Sequence, residues 1–158
     1  MSHIVLQSAP SVRQLAIGQL QAIPEERFDI RPEGWNNTIR WHAGHLAYWM
    51  DTTFSLCFGK ASTLPADYAA FFASGTKPAD WTAAPPTKEA LIGQLTAQLG
   101  RMSEIRPEDL DAALGAPLEV GPLKFETAGT LYNFQLMHEA MHLGKITSLL
   151  TSVEKQQA

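Results

Sequence analysis

Five consecutive residues near the end of the chain, His138-Glu139-Ala140-Met141-His142, carry the strongest chemical signal in the sequence. On a helix, side chains four apart stand one above the other, so both imidazoles can reach the same metal ion. The chain holds five histidines, enough for such a pair to arise by chance, and spacing alone is a modest signal. Position adds weight. His138 and His142 share a stripe with Leu131, Phe134 and Met141, the face expected to point into a helical core, where a polar ring needs a partner. A second couple, in Trp41-His42-Ala43-Gly44-His45, is three apart on another partly apolar stripe. Three or more histidines on two inward faces predict a metal centre rather than isolated core histidines held by hydrogen bonds. Neutral nitrogen ligands suit a divalent Zn, Ni or Fe ion, and a set of three leaves one position open to water or substrate, as catalytic sites do. Were His42 a fourth ligand, the site would be closed and structural.

Glu139 beside the first histidine completes H-E-x-x-H, in which the acid is the general base of zinc peptidases. The extended peptidase pattern fails, because Lys145 stands where its glycine belongs and little chain follows His142. Glu139 also lies about 100° round the helix from His138 and reads equally as a solvated or inter-helix acid. Tyr48, Asn133 and Gln135 flank the histidines and are candidates to orient a substrate, with packing or surface roles as the alternative. Trp41, Trp49 and Phe134 read as core. Cys57 lies about 18 Å of helix beyond His45 and reads as a buried, inert thiol.

These residues need long helices to hold them, and the apolar spacing supplies four. Val12, Leu15, Ala16, Leu20 and Ile23 mark a first helix from about Ser11, stopped by Pro24. The second runs from near Thr38 to Gly59, with His42, His45, Trp49, Thr52 and Leu56 along one stripe. A long connection follows, with room for one short helix from Pro65 to Phe72. Thr87 caps a third long helix through Leu91, Leu95, Leu99 and Met102. Between Leu118 and Phe125 the alternation is too brief to define a strand. The last helix starts near Thr127 and reaches about Thr151. Four amphipathic stripes are most simply buried in an all-α four-helix bundle.

Composition bounds the rest. The 158 residues, 45% hydrophobic, fit one globular domain over 1–158. A formal charge of −4 with no basic run argues against nucleic acid as a partner. The lone Cys57 cannot close an intramolecular disulfide, so a reducing compartment, by default the cytoplasm, is expected. Met1 to Gln7 lacks the cationic start and apolar stretch of a signal peptide, and no window approaches ~20 apolar residues, so no membrane association is expected.

Across nearly its whole length the sequence resembles the DinB-like superfamily of four-helix-bundle metalloenzymes, in particular its DinB_2, or YfiT-like, branch. The segments that carry the likeness are Ile23-Pro24-Glu25-Glu26, Arg31-Pro32-Glu33-Gly34-Trp35-Asn36 and Ile39-Arg40-Trp41-His42-Ala43-Gly44-His45-Leu46-Ala47. Phe72-Ala73-Ser74-Gly75-Thr76-Lys77-Pro78 and His138-Glu139-Ala140-Met141-His142-Leu143-Gly144-Lys145-Ile146 complete it, with Met141 where an aromatic and Lys145 where glutamine is common. The resemblance implies a metal held by His45, His138 and His142, with His42 as a pocket residue, a hydrogen-bond partner or a packed ring. It implies a long crossover between the second and third helices, which fits residues 60–86, and a homodimer. It further implies a small-molecule substrate and either thiol-dependent S-transfer, with a low-molecular-weight thiol as cosubstrate, or hydrolysis at the same open position. A non-catalytic bundle that binds a metal or small molecule is the alternative.

Overall fold

The computed structural model describes residues 2–157, so Met1 and Ala158, the outermost positions of the expected domain and the first residue of the N-terminal segment read above, lie outside it. Helices α1 (Ser2–Ala22), α2 (Ile39–Phe58), α4 (Lys88–Met102) and α5 (Ala128–Gln157) form the bundle, and α3 (Tyr68–Phe72) is a single short turn of helix inside the crossover. Each long helix touches two neighbours: α2 packs on α4 and α5, and α1 on the same two. No helix among the described residues is long and apolar enough to cross a membrane.

Local chemistry sets the boundaries. The Thr38 hydroxyl accepts a hydrogen bond from the Trp41 amide at the start of α2, and Thr87 does the same for Ala90 in α4. Gly59 ends α2 at φ 60°, a left-handed conformation that glycine adopts without penalty. Two elements outrun their expected limits. Helix α1 begins at Ser2, not Ser11, and carries Pro10 inside it. The hydrogen bond lost there is offset by burial of Ala9 and partial burial of Val5 and Leu6 against Met50, Phe54, Tyr132 and Leu136. Helix α5 continues past Thr151 to Gln157 because Val153 is buried in the core and Glu154 pairs with Arg27. In the crossover α3 starts at Tyr68, since Pro65 to Asp67 form a turn whose carbonyls accept from Tyr68 and Ala70.

Strands β1 (Ala113–Val120) and β2 (Leu123–Thr127) pair antiparallel through Val120 with Leu123 and Leu118 with Phe125, closed by Gly121 at φ 57°. The hairpin exceeds the brief extended segment expected. Of its residues only Phe125 is buried, so no alternating apolar face could have announced it.

The core has two apolar clusters. One gathers Ala16, Leu20, Ile39, Ala43, Leu46, Leu91, Leu95, Ile146 and Leu149 among others, and the second Ala9, Met50, Phe54, Met102, Tyr132 and Leu136. Between them, on three of the four helices, falls one buried polar residue: Arg13 on α1, Gln98 on α4 and Glu139 on α5. On α2 the same level is met by the Ala47 carbonyl, which accepts from Gln98 Nε2 at 2.8 Å. Gln98 Oε1 in turn accepts from Arg13 Nη1 at 2.7 Å, and Glu139 Oε2 from Arg13 Nη2 at 2.9 Å. A polar layer therefore ties all four helices at the waist of the bundle.

Several side chains depart from the expected faces. Leu15, Leu56 and Met141 were expected inward and are exposed, Met141 at 54%. Glu139, expected at or near the surface, is fully buried. The core face of α5 runs through Tyr132, Gln135, Glu139, His142, Ile146, Leu149 and Val153, alternating steps of three and four. That seam is rotated from the stripe through Phe134, His138 and Met141, which leaves His138 at its edge.

Candidate metal centre

His45 from α2 and His138 and His142 from α5 come together, each offering one nitrogen, with those nitrogens all within 4.8 Å of one another. His45 and His142 are buried and His138 half-buried. Helices α2 and α5 are antiparallel, as the contact of Cys57 Sγ with the Ala128 carbonyl at the far end shows, so the i, i+4 pair of α5 faces one residue of α2. His42 falls outside the cluster, behind His142.

Two hydrogen bonds orient the rings. His45 Nδ1 donates to the Phe72 carbonyl at 2.7 Å, which leaves the Nε2 lone pair free. The carbonyl is in place because Gly44 lets Phe72 approach: a Cβ at Gly44 would stand 2.3 Å from the Phe72 ring. His42 Nδ1 lies 2.8 Å from His142 Nδ1, one donating and the other accepting. If neutral His142 offers Nε2 to an ion, its proton sits on Nδ1 and points at His42. Trp41 stacks on His45 with centroids 4.4 Å apart, and Trp41 Nε1 donates to Thr76 in the crossover.

All four rings are held neutral. Burial is the largest cause in each case, pushing His42 down to about 3, His45 and His138 to about 4 and His142 to about 2. The Lys145 ammonium pushes the same way on every one of them. Uncharged imidazole is the form that binds a metal. His138 Nδ1 is buried and finds no hydrogen-bond partner among the described residues. A tetrahedral ion with bonds near 2.1 Å needs its nitrogens roughly 3.4 Å apart, so the rings would close in by at most about 1.4 Å from the 4.8 Å that bounds them. The three side chains thus fit a divalent metal ion.

The other expected site residues are placed differently. Glu139 is engaged by Arg13 rather than by the histidines: Arg13 Nε lies 2.9 Å from Oε1 and Nη2 binds Oε2, with both side chains fully buried. Burial raises the Glu139 carboxyl, and Arg13 opposes that rise. Tyr48 is half-buried and lines a separate cleft with Asp51, Thr52, Ser55 and Tyr68. Asn133 is exposed, while Gln135 is buried with Nε2 unpartnered. Trp41 is core as expected, whereas Trp49 and Phe134 are half-buried beside His45 and His138, at ring distances of 6.2 Å and 6.5 Å. Cys57 is half-buried, and burial pushes its thiol up to about 12, well out of the reactive range.

Arg13, Gln98 and the Phe72 carbonyl were not anticipated. The first two had a signal in the sequence, a polar residue at a core position of an apolar spacing: Ala9, Arg13, Ala16, Leu20 and Leu91, Leu95, Gln98, Met102. The carbonyl had none.

A family model described as the DinB superfamily matches residues 11–146, a span that takes in all four histidines of the site and the crossover. No curated protein matches the sequence.

Proposed function

Because the chain belongs to the DinB superfamily, we propose that it is a metal-dependent enzyme acting on a small molecule, with His45, His138 and His142 holding a divalent zinc, nickel or iron ion. The observation that carries this reading is the cluster itself: three uncharged imidazoles from two helices, one with an orphaned nitrogen. When bound, such an ion lowers the pKa of a thiol or water at the position the protein leaves free, supplying a nucleophile at neutral pH. The reaction is then transfer involving a low-molecular-weight thiol, or hydrolysis with water in its place.

The protein's own groups prepare the site. Phe72 keeps the His45 proton on Nδ1, and with His142 bound to an ion through Nε2 its Nδ1 proton would go to His42. Arg13 holds Glu139 away from the cluster, which leaves the ligand set free of negative charge. Trp41 covers one face of His45 and keeps bulk water from it.

Elemental analysis of untagged wild-type, His45→Ala and His138→Ala protein tests the reading. Near-stoichiometric zinc, nickel or iron, lost in both variants, is expected, followed by metal-dependent turnover on a thiol-transfer or an ester and amide panel. Protein that binds none of the three ions after reconstitution would overturn the metal centre; bound metal with no turnover on either panel would overturn the enzyme.

A further inference from the structure

The charges around the three histidines do not balance. Helices α2 and α5 together carry three acidic side chains, Asp51, Glu139 and Glu154. Each is committed to an arginine brought from elsewhere: Asp51 to Arg101 at 2.6 Å, Glu139 to Arg13 at 2.9 Å and Glu154 to Arg27 at 2.5 Å. No carboxylate on the ligand-bearing helices is left to face the site. A divalent ion held by three neutral imidazoles keeps its full double charge.

Lys145 adds to that charge. It stands three residues beyond His142 and seven beyond His138, so on a helix it lies about 60° and 20° round from them, on the same side and about 4.5 Å further along the axis than His142. It is exposed and pairs with no carboxylate among the described residues. Its field reaches all four histidines, and no carboxylate opposes it at any of them. Beside it on the same flank of the helix, Met141 is exposed and His138 half-exposed.

We propose that Lys145 is a specificity residue of the metal centre, recognising a carboxylate or similar anionic group on the small molecule whose other end occupies the open coordination position. The inference rests on the metal-centre reading and names the substrate class for it: a small compound that carries an anionic group apart from its metal-binding atom. A neutral compound of the same shape leaves the ammonium without a partner and the site with surplus positive charge.

The test compares 3-mercaptopropionate with 3-mercapto-1-propanol, two thiols of similar length that differ in the charge of the far end. Cobalt(II)-loaded wild type, Lys145→Gln and Lys145→Glu are titrated with each, following the thiolate-to-cobalt absorption band, which reports binding independently of turnover. All three proteins are expected to hold one cobalt per chain. Relative to Lys145→Gln, wild type should favour the acid about fivefold at low ionic strength, a preference that salt erodes, and Lys145→Glu should disfavour it. An acid-to-alcohol ratio that is the same in wild type and Lys145→Gln would overturn the inference while leaving the metal centre standing. Failure of wild type to take up cobalt would overturn the metal centre, and the inference with it.

Discussion

Arg13 and Glu139 lie 126 residues apart in sequence and face each other at 2.9 Å in the middle of the bundle, neither with any solvent exposure. Two charges taken out of water gain little net stability from each other, but removing one strands its partner. Glu139→Gln should therefore destabilise the protein by about 3–5 kcal/mol, whereas Arg13→Met combined with Glu139→Leu should recover most of that loss. Urea unfolding of the single and double variants checks this. A double variant as unstable as the single would mean the pair is needed for more than mutual neutralisation.

The four histidines should separate into two groups by metal content. His45→Ala, His138→Ala and His142→Ala remove an expected ligand each and should abolish stoichiometric metal. His42→Ala removes a hydrogen bond to His142 and should keep metal with roughly 10- to 100-fold weaker affinity, measured by chelator competition. Complete metal loss in His42→Ala would instead make it a fourth ligand and the site a closed, structural one.

Acid should unfold the metal-free protein early. An imidazole in the unfolded chain titrates near 6.5, while the buried rings have been pushed to about 4 or lower. Below about pH 6.5 the unfolded chain takes up protons that the folded one refuses, so stability is full above that pH and declines as pH falls toward 4 and below. Glu139, raised by burial, acts in the opposite sense but is one group against four. The urea midpoint should be flat near pH 7 and fall steadily between pH 6.5 and 4. A midpoint that stays level across that window would show that the rings are not buried in neutral form.

Gly44→Ala should damage the metal centre without touching a ligand. The new Cβ meets the Phe72 ring, so either the ring or α2 must move, at a cost of about 1–3 kcal/mol. Displacing Phe72 also displaces the carbonyl that orients His45. Weaker zinc binding together with a lower melting temperature is expected. Lost stability with unchanged affinity would show that the carbonyl follows His45 by another route.

The four long helices, the crossover and the histidine pair of α5 were legible because each rests on local pattern: apolar spacing, a capping Thr38 or Thr87, an i, i+4 pair; the choice of His45 over His42 came from the family resemblance. Which face of each helix turns inward was less so. Counting apolar residues chose Leu15, Leu56 and Met141, whereas the core follows a three-and-four spacing that passes through Arg13, Gln98 and Glu139. A charged side chain can sit on that seam only if a partner arrives from another helix, and the partner is a property of the whole fold. The hairpin was faint for a different reason: with Phe125 alone buried, it leaves no periodic trace.

Phe72 serves the site twice, its ring filling the space opposite Gly44 and its carbonyl holding His45. Both belong to the crossover, so an ion held by His45 would be coupled to the docking of that segment, each strengthening the other by the same factor. Trp81, which meets the Phe72 ring edge-on at 5.9 Å and donates to the Phe71 carbonyl, would then bear on the ion's affinity without being a ligand. Adding a chelator to the loaded protein would loosen residues 60–86, and a protease would find them sooner.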